Sequence, residues 1–268
     1  MLSAILRYLL LVILFCVSLA AGLVTFLPMQ FVANEIETAV PGLKVSNATG
    51  HVLNGSFSGL AFQQINNANL TWEINPKHLL QGEFLAVVNV SEAQMSASGN
   101  VSVPLMDLLS PNEVSLNSLQ ASFNLAQITP FAPYPLPPIT GTVNVFVEQL
   151  SLDIQALNNT QSNIPIIHLS SPILFDIEKL QVLDQLEVGE FTGLVSSSAN
   201  PLGYEIELKS ASGPLSVSGL SVLSNDRIKS EYEVKPSAQT PAQIIQLLNL
   251  MGQKQANDTY IFNTEYAL

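Results

Sequence analysis

Disulfide chemistry is the first thing this chain lacks. Its single cysteine, Cys16, lies inside an apolar run near the N-terminus, so nothing after that run can be stapled. Small secreted modules usually depend on such bridges, whereas 268 residues are enough to hold a fold by core burial alone. Charge is scarce too, at 11% of residues against about 25% in an ordinary soluble domain. Asn, Ser, Gln and Thr supply the polar surface instead. Among the charged side chains 21 are acidic and 9 basic, a net charge of −12. That sign repels nucleic acid and anionic headgroups alike, so no nucleic-acid partner is expected.

Catalytic signatures are equally thin. The three histidines, His51, His78 and His168, lie far apart and lack the spacing of a metal site. In Gly55-Ser-Phe-Ser-Gly59 the position of a nucleophilic serine is taken by Phe57. There is no phosphate-binding loop ending in Lys and Ser/Thr, and no His-Glu-x-x-His. The carboxylates Glu205, Glu207, Glu231 and Glu233 alternate with apolar residues, which places them on the wet face of strands. No catalytic residue, cofactor or metal is expected. The chain does not read as an enzyme.

What the sequence does have is one long apolar segment. Tyr8 to Asn34 carry no charge, and the apolar heart of the run, Tyr8–Leu27, is about twenty residues long. At ~1.5 Å per residue that matches a bilayer core of ~30 Å. Arg7 precedes the run, while Glu35 and Glu37 follow it before the next cation, Lys44. The positive-inside rule then predicts a cytoplasmic segment 1–7, a single transmembrane anchor 8–27, and export of the remainder. The chain's −12 less the +1 of Arg7 leaves −13 on the exported part. A cleaved signal peptide ending near Ser18-Leu19-Ala20 is the rival reading, but the run continues past Ala20, beyond the usual apolar length of such a signal. Phe15, where a small residue should precede a lipidated cysteine, argues against a lipoprotein. Seven Asn-x-Ser/Thr triplets begin at Asn47, Asn54, Asn69, Asn89, Asn100, Asn158 and Asn257. A chain this rich in those residues produces them by chance, and no cysteine framework accompanies them.

Beyond the anchor, period-two alternation dominates. It appears in Leu70–Ile74, Ala121–Leu125, Val143–Val147, Leu150–Ile154, Tyr204–Leu208, Leu215–Val217 and Tyr232–Val234, with breaks such as Gly213-Pro214 and Ser224-Asn225-Asp226. Many short alternating runs predict antiparallel sheet, apolar on one face and wet on the other. Helices are predicted at Met29–Val40, Pro76–Gln81 (capped by Asn75 and ended by Gly82), Pro104–Leu109, and Thr240–Gly252. In the last, Thr240 is the expected N-cap, Pro241 the first helical residue and Gly252 the stop, with the helix itself at about 241–251. Its stripe of Ile244, Ile245, Leu247, Leu248 and Met251 needs a sheet to lie on. Five prolines in Pro130–Pro138 form a stiff connection between a first β-rich half, 28–129, and a second, 139–268. Trp72-Glu-Ile-Asn-Pro76 in one half and Tyr232-Glu-Val-Lys-Pro236 in the other are each an aromatic strand closed by proline before a helix. The expected core includes Trp72, Tyr232, Ile244, Leu248 and Gly252. The expected fold is mainly β: an elongated, curved antiparallel sheet with a few short helices, one of them a C-terminal packing helix.

The order of these landmarks resembles a known family. The anchor leads to Pro41-Gly42-Leu43, then Gly50-His-Val-Leu-Asn-Gly55, Leu70–Pro76 and Leu79-Leu80-Gln81-Gly82. Prolines 135–138 run into Ile139-Thr-Gly141-Thr-Val143, followed by Leu215–Leu220 and Tyr232–Pro236 before the leucine-rich helix and Gly252. In this order, and over nearly the whole chain, they resemble the type II secretion system protein N family. The chain departs from the family pattern, Gly-Thr-Leu-Trp-x-Gly, at Gly50–Gly55, where His51 and Leu53 replace Thr and Trp. The second half also lacks the tryptophan that many members carry. The resemblance implies an inner-membrane component of the Gram-negative machine that moves folded proteins across the outer membrane, with other components of that machine as partners. It implies no catalytic residues. Two kinds of function fit: a scaffold that docks on other parts of the apparatus, or a periplasmic protein whose open apolar β groove binds lipid or a hydrophobic segment. The distinguishing feature is whether the Leu70/Trp72/Ile74 face is capped by the C-terminal helix or left open.

Overall fold

The computed structural model describes residues 27–62, 65–107, 113–127, 138–153, 169–183, 186–199, 202–224 and 227–267. The segment 8–27 therefore lies outside the described residues except for Leu27, and 130–138 except for Pro138. Among the described residues no helix is long and apolar enough to cross a membrane. The chain forms two compact units, Met1–Ala93 and Gln94–Leu268. Both are mainly antiparallel β with few helices, as the alternation predicts.

The first unit begins with helix α1 (Met29–Ala39), then strands β1 (Lys44–Gly50), β2 (Asn54–Phe62) and β3 (Ile65–Ile74), a short helix α2 (Pro76–Leu80), and β4 (Glu83–Glu92). Its strands lie side by side in chain order. Met29, Val32, Ala33 and Ile36 recur at helical spacing on α1 and pack on Phe57, Leu70 and Trp72 of the sheet. Met29, Ala33 and Phe57 are the buried centre of this contact. Each large apolar side chain fully withdrawn from water there contributes about 1.5–3 kcal/mol. Helix α1 stops where expected, at Val40 before Pro41-Gly42, with Gly42 in the left-handed region at φ +92°. The Glu37 carboxylate accepts a hydrogen bond from the Val45 N–H, so α1 also covers part of the outer edge of β1. Helix α2 matches its sequence signals: the Asn75 side chain accepts from Lys77 N–H at 3.0 Å, Pro76 opens the helix, and Gly82 turns away at φ +83°.

The second unit contains β5 (Met95–Pro104), β6 (Glu113–Asn124), β7 (Ile139–Asp153), β8 (Ile173–Val182), β9 (Leu186–Ala199), β10 (Leu202–Ser212), β11 (Leu215–Ser224) and β12 (Arg227–Pro236). Helix α3 (Ala242–Met251), β13 (Gln253–Lys254) and β14 (Tyr260–Ala267) follow. Short 3₁₀ turns at Leu105–Asp107 and Leu125–Gln127 flank β6, the first standing where a helix Pro104–Leu109 is expected. The two alternating runs at 143–147 and 150–154 fall in one strand, β7, as far as Asp153. Order again follows the chain from β5 to β12, and then reverses: β14 lies between β12 and β13. Helix α3 carries the chain past β14 to the far edge, so it must cross the sheet face.

Its buried residues Ile244 and Leu248 pack with Leu215, Val234 and Tyr260, and Leu186, Val188, Val217 and Phe262 surround them. The Tyr260 hydroxyl, on a side chain only 1% exposed, donates to Asn249 Oδ1 at 2.8 Å. Two expected details of α3 are corrected. Thr240 is not the N-cap: the helix opens after Pro241 without a side-chain cap, and Thr240 Oγ1 instead accepts from Ser237 N–H and donates to the Pro214 carbonyl at 2.6 Å. Gly252 does end the helix, but in extended conformation at φ −103°. Its need for glycine is steric, because a Cβ there would lie 2.8 Å from the Phe262 ring.

Candidate functional surfaces

The Leu70/Trp72 face is covered within its own unit by α1, and α3 packs on strands of the other unit. Trp72 is half-buried. Its Nε1–H donates to the Val52 carbonyl at 2.9 Å, and its ring meets Phe57 with centroids 4.7 Å apart at 55°. The β1–β2 hairpin is thereby clamped on β3: Ile74 N–H donates to Leu53 O at 2.6 Å and His51 N–H to Asn54 O at 2.7 Å. Gly50–Gly55, one of the stretches that carry the family resemblance, is a structural joint. Gly50 adopts φ +87°, and a Cβ on it would stand 2.6 Å from Asn54 O.

The residues with potential chemistry remain dispersed. His78 Nδ1 meets Glu83 Oε2 at 3.2 Å near α2, His51 sits in the hairpin, and His168 lies outside the described residues. Glu205 accepts from Ser198 Oγ at 2.9 Å, and Glu207 pairs with Lys209 at 3.6 Å. Glu231 and Glu233 are exposed on β12. Among the described residues no three His, Cys, Asp or Glu side chains cluster to hold a metal. The resolved charge perturbation is a surface pair: a hydrogen bond and ion pair at 2.8 Å hold the Lys254 ammonium above its ordinary pKa and the Asp258 carboxyl below. Both side chains are exposed, which identifies a turn-stabilising contact between β13 and β14.

Among the described residues, each unit carries a concavity. In the first, an open groove of about 530 Å³ is lined by a cross-strand ladder of Thr49, Ser56, Thr71 and Asn89, with Asn54 and Glu73 beside it. Thr49 and Ser56 share a hydrogen bond at 2.7 Å. In the second, a cleft of about 160 Å³ opens beside α3 between Leu247, Leu248 and Met251 of the helix and Val182, Leu186, Val188 and Phe262 of the sheet. Ile244 completes a wholly apolar lining. Tyr232 is half-buried on β12, its ring over Gly219, a position its alternating strand alone does not reveal.

Comparison with known protein families gives a match. Neither curated proteins nor solved structures provide a similar chain. The family model described as type II secretion system (T2SS), protein N, matches residues 41–263, from the turn after α1 to the middle of β14. That span includes all the strand landmarks and all of α3. The chain therefore belongs to the type II secretion system protein N family.

Proposed function

We propose that this protein supports type II secretion by binding, as a cell-envelope component with no turnover of its own. The observation that carries this reading is the family match over residues 41–263. The dispersed titratable groups are consistent with it, since general acid–base or nucleophilic chemistry needs such groups within hydrogen-bond reach of one another. In this reading the Tyr8–Leu27 run spans the inner membrane once, residues 1–7 remain cytoplasmic, and both units stand in the periplasm of a Gram-negative cell. The partners are other components of the secretion apparatus, in the inner-membrane platform or the periplasm, reached through sheet surfaces and edges.

Deleting the gene tests this directly. Folded exoproteins should accumulate in the periplasm, with passage across the inner membrane unimpaired. Alanine at His51, His78, His168, Glu205 or Glu233, each alone, should leave secretion near normal. A fully folded single variant of that set with secretion abolished would overturn the non-enzymatic reading.

A second reading, that the chain binds lipid or a hydrophobic segment in an apolar groove, is favoured by the apolar cleft beside α3. Mass spectrometry of the purified chain separates the two: a stoichiometric co-purifying lipid supports the groove, and its absence supports the scaffold.

A further inference from the structure

Strand pairing in the Gln94–Leu268 unit places one continuous row of side chains on the wet face of the sheet. Phe146 of β7 stands opposite Leu174 of β8, and Leu174 opposite Leu194 of β9. The row continues through Glu207, Leu220 and Glu231 on β10, β11 and β12. Paired residues share a face, so these are true neighbours. Phe146 is 39% exposed, Leu174 48% and Leu220 38%. Single exposed apolar side chains are ordinary on a protein surface; Phe146 and Leu174 on adjacent strands, continued by the half-buried Leu194, are a patch, and Leu220 stands further along the same row beyond Glu207. Alternation makes the anomaly sharper. In Val143-Asn-Val145-Phe-Val147 the inward positions are already valines, and Phe146 takes an outward position like that of Asn144.

The rows on either side are charged. Asp176 and Glu233 lie in one and Glu205 in the other, which together with Glu207 and Glu231 sets five carboxylates against Lys209 and Lys229. Lys209 is already paired with Glu207.

We propose that this face is a docking surface for a basic protein segment that carries apolar side chains, a partner surface in which lysines or arginines flank leucine- or phenylalanine-like anchors. The charge pattern selects that occupant. A second copy of the chain would set carboxylate against carboxylate across the contact, a juxtaposition that costs several kcal/mol. The same carboxylates repel an anionic bilayer surface. A cationic partner gains from both parts of the surface: apolar anchors cover Phe146 and Leu174, and its charges face Glu207 and Glu231 in the same row and the carboxylates beside them, which outnumber the two lysines. This deepens the binding reading above and rests on it.

The test uses the full chain, purified in detergent, with three strand-length synthetic peptides: alternating Lys and Leu, alternating Glu and Leu, and alternating Ser and Leu. The Lys–Leu peptide should bind best. Phe146→Ser with Leu174→Ser should weaken it roughly tenfold, equivalent to about 1.4 kcal/mol. Glu207→Gln with Glu231→Gln should weaken it and flatten its salt dependence. Glu35→Gln with Glu73→Gln changes the net charge equally but lies in the other unit, and should leave binding unchanged. Leu174→Lys, a single exposed change, gives an independent loss should the double serine variant fold poorly. Equal binding of the three peptides, wild-type binding by the serine and lysine variants, or equal losses in the two glutamine pairs would each overturn the proposal. So would a dimer, or binding to phosphatidylcholine vesicles, that disappears in the serine variant. Secretion in the gene deletion keeps the two readings apart: normal secretion sinks the secretion role, whereas failed peptide binding with defective secretion sinks only this surface.

Discussion

Gly55 stands directly opposite Trp72 across the β2–β3 ladder, and the indole occupies the space that a side chain at position 55 would fill. The same relationship recurs in the other unit. The Phe175 ring covers its cross-strand partner Gly193, and the Tyr232 ring covers Gly219. Glycine weakens a strand because it has nothing to pack, and an aromatic neighbour laid over it restores that contact. Across β7 to β12 this produces an inward row of Val145, Phe175, Gly193, Leu208, Gly219 and Tyr232, alternating large and small.

The Gly55–Trp72 pair should be the more fragile for being clamped. Gly55→Ala is expected to push the indole off its site at a cost of about 1–3 kcal/mol. Trp72→Ala should cost about 3 kcal/mol, through lost contact with Phe57 and a lost hydrogen bond to Val52. Trp72 is the only tryptophan, so its emission in the Gly55 variant reports the displacement directly by shifting to longer wavelength. An unshifted spectrum with unchanged urea midpoint would show that the ring does not depend on that space.

Gly252 and Gly42 separate steric from conformational need. Gly252→Ala brings a Cβ against Phe262 in a backbone geometry that any residue adopts, and should cost about 1–3 kcal/mol. Gly42→Ala meets nothing within 4 Å but must hold φ near +92°, and should cost about 1 kcal/mol. Chemical denaturation of the two variants checks the order. A Gly42 variant worse than the Gly252 variant would reverse the assignment.

Helix α3 offers an internal control. Leu248 is 8% exposed and Leu250 81% exposed, two residues apart. Leu248→Asp places an unpaired charge among Leu215, Val234 and Tyr260, or lifts the helix off the sheet, and should unfold this end of the unit at a cost of several kcal/mol. Leu250→Asp should leave stability within about 0.5 kcal/mol. Thermal melts and secretion assays on both variants are the measurement. A harmless Leu248→Asp would mean that α3 does not depend on its packed face.

The proposed anchor makes a topological prediction. A reporter active only in the periplasm, fused after Leu268, should be active, and the full-length chain should stay with membranes through an alkaline wash. A shortened protein beginning near Ala21 would show signal cleavage instead.

The parts of this fold legible in the sequence are those that neighbouring residues decide among themselves. Alternation marked the β-rich regions, because successive side chains on a strand point to opposite faces whatever the partner. Asn75, Pro76 and Gly82 marked α2, because capping is settled within one turn. The proline echo after Trp72 and Tyr232 was visible too, but not its completion, the glycine beneath each ring.

Register is where the sequence stopped. A period of two assigns Trp72 to a face, yet which residue stands opposite it, and which helix covers it, are set by pairing and packing across long sequence distances. The Leu70/Trp72 face is thus covered by α1, and Thr240 ties a loop to Pro214 where a cap is expected. The outward Phe146 lay inside a run that reads as plain alternation, Val143–Val147. Only the alignment of β7, β8 and β9 made it, with Leu174 and Leu194, a surface. The sequence by itself determined the strand faces, the acidic wet surface and the family pattern. The tertiary structure decided which side chains meet, because a sheet's cross-strand contacts depend on register and no single strand encodes its own.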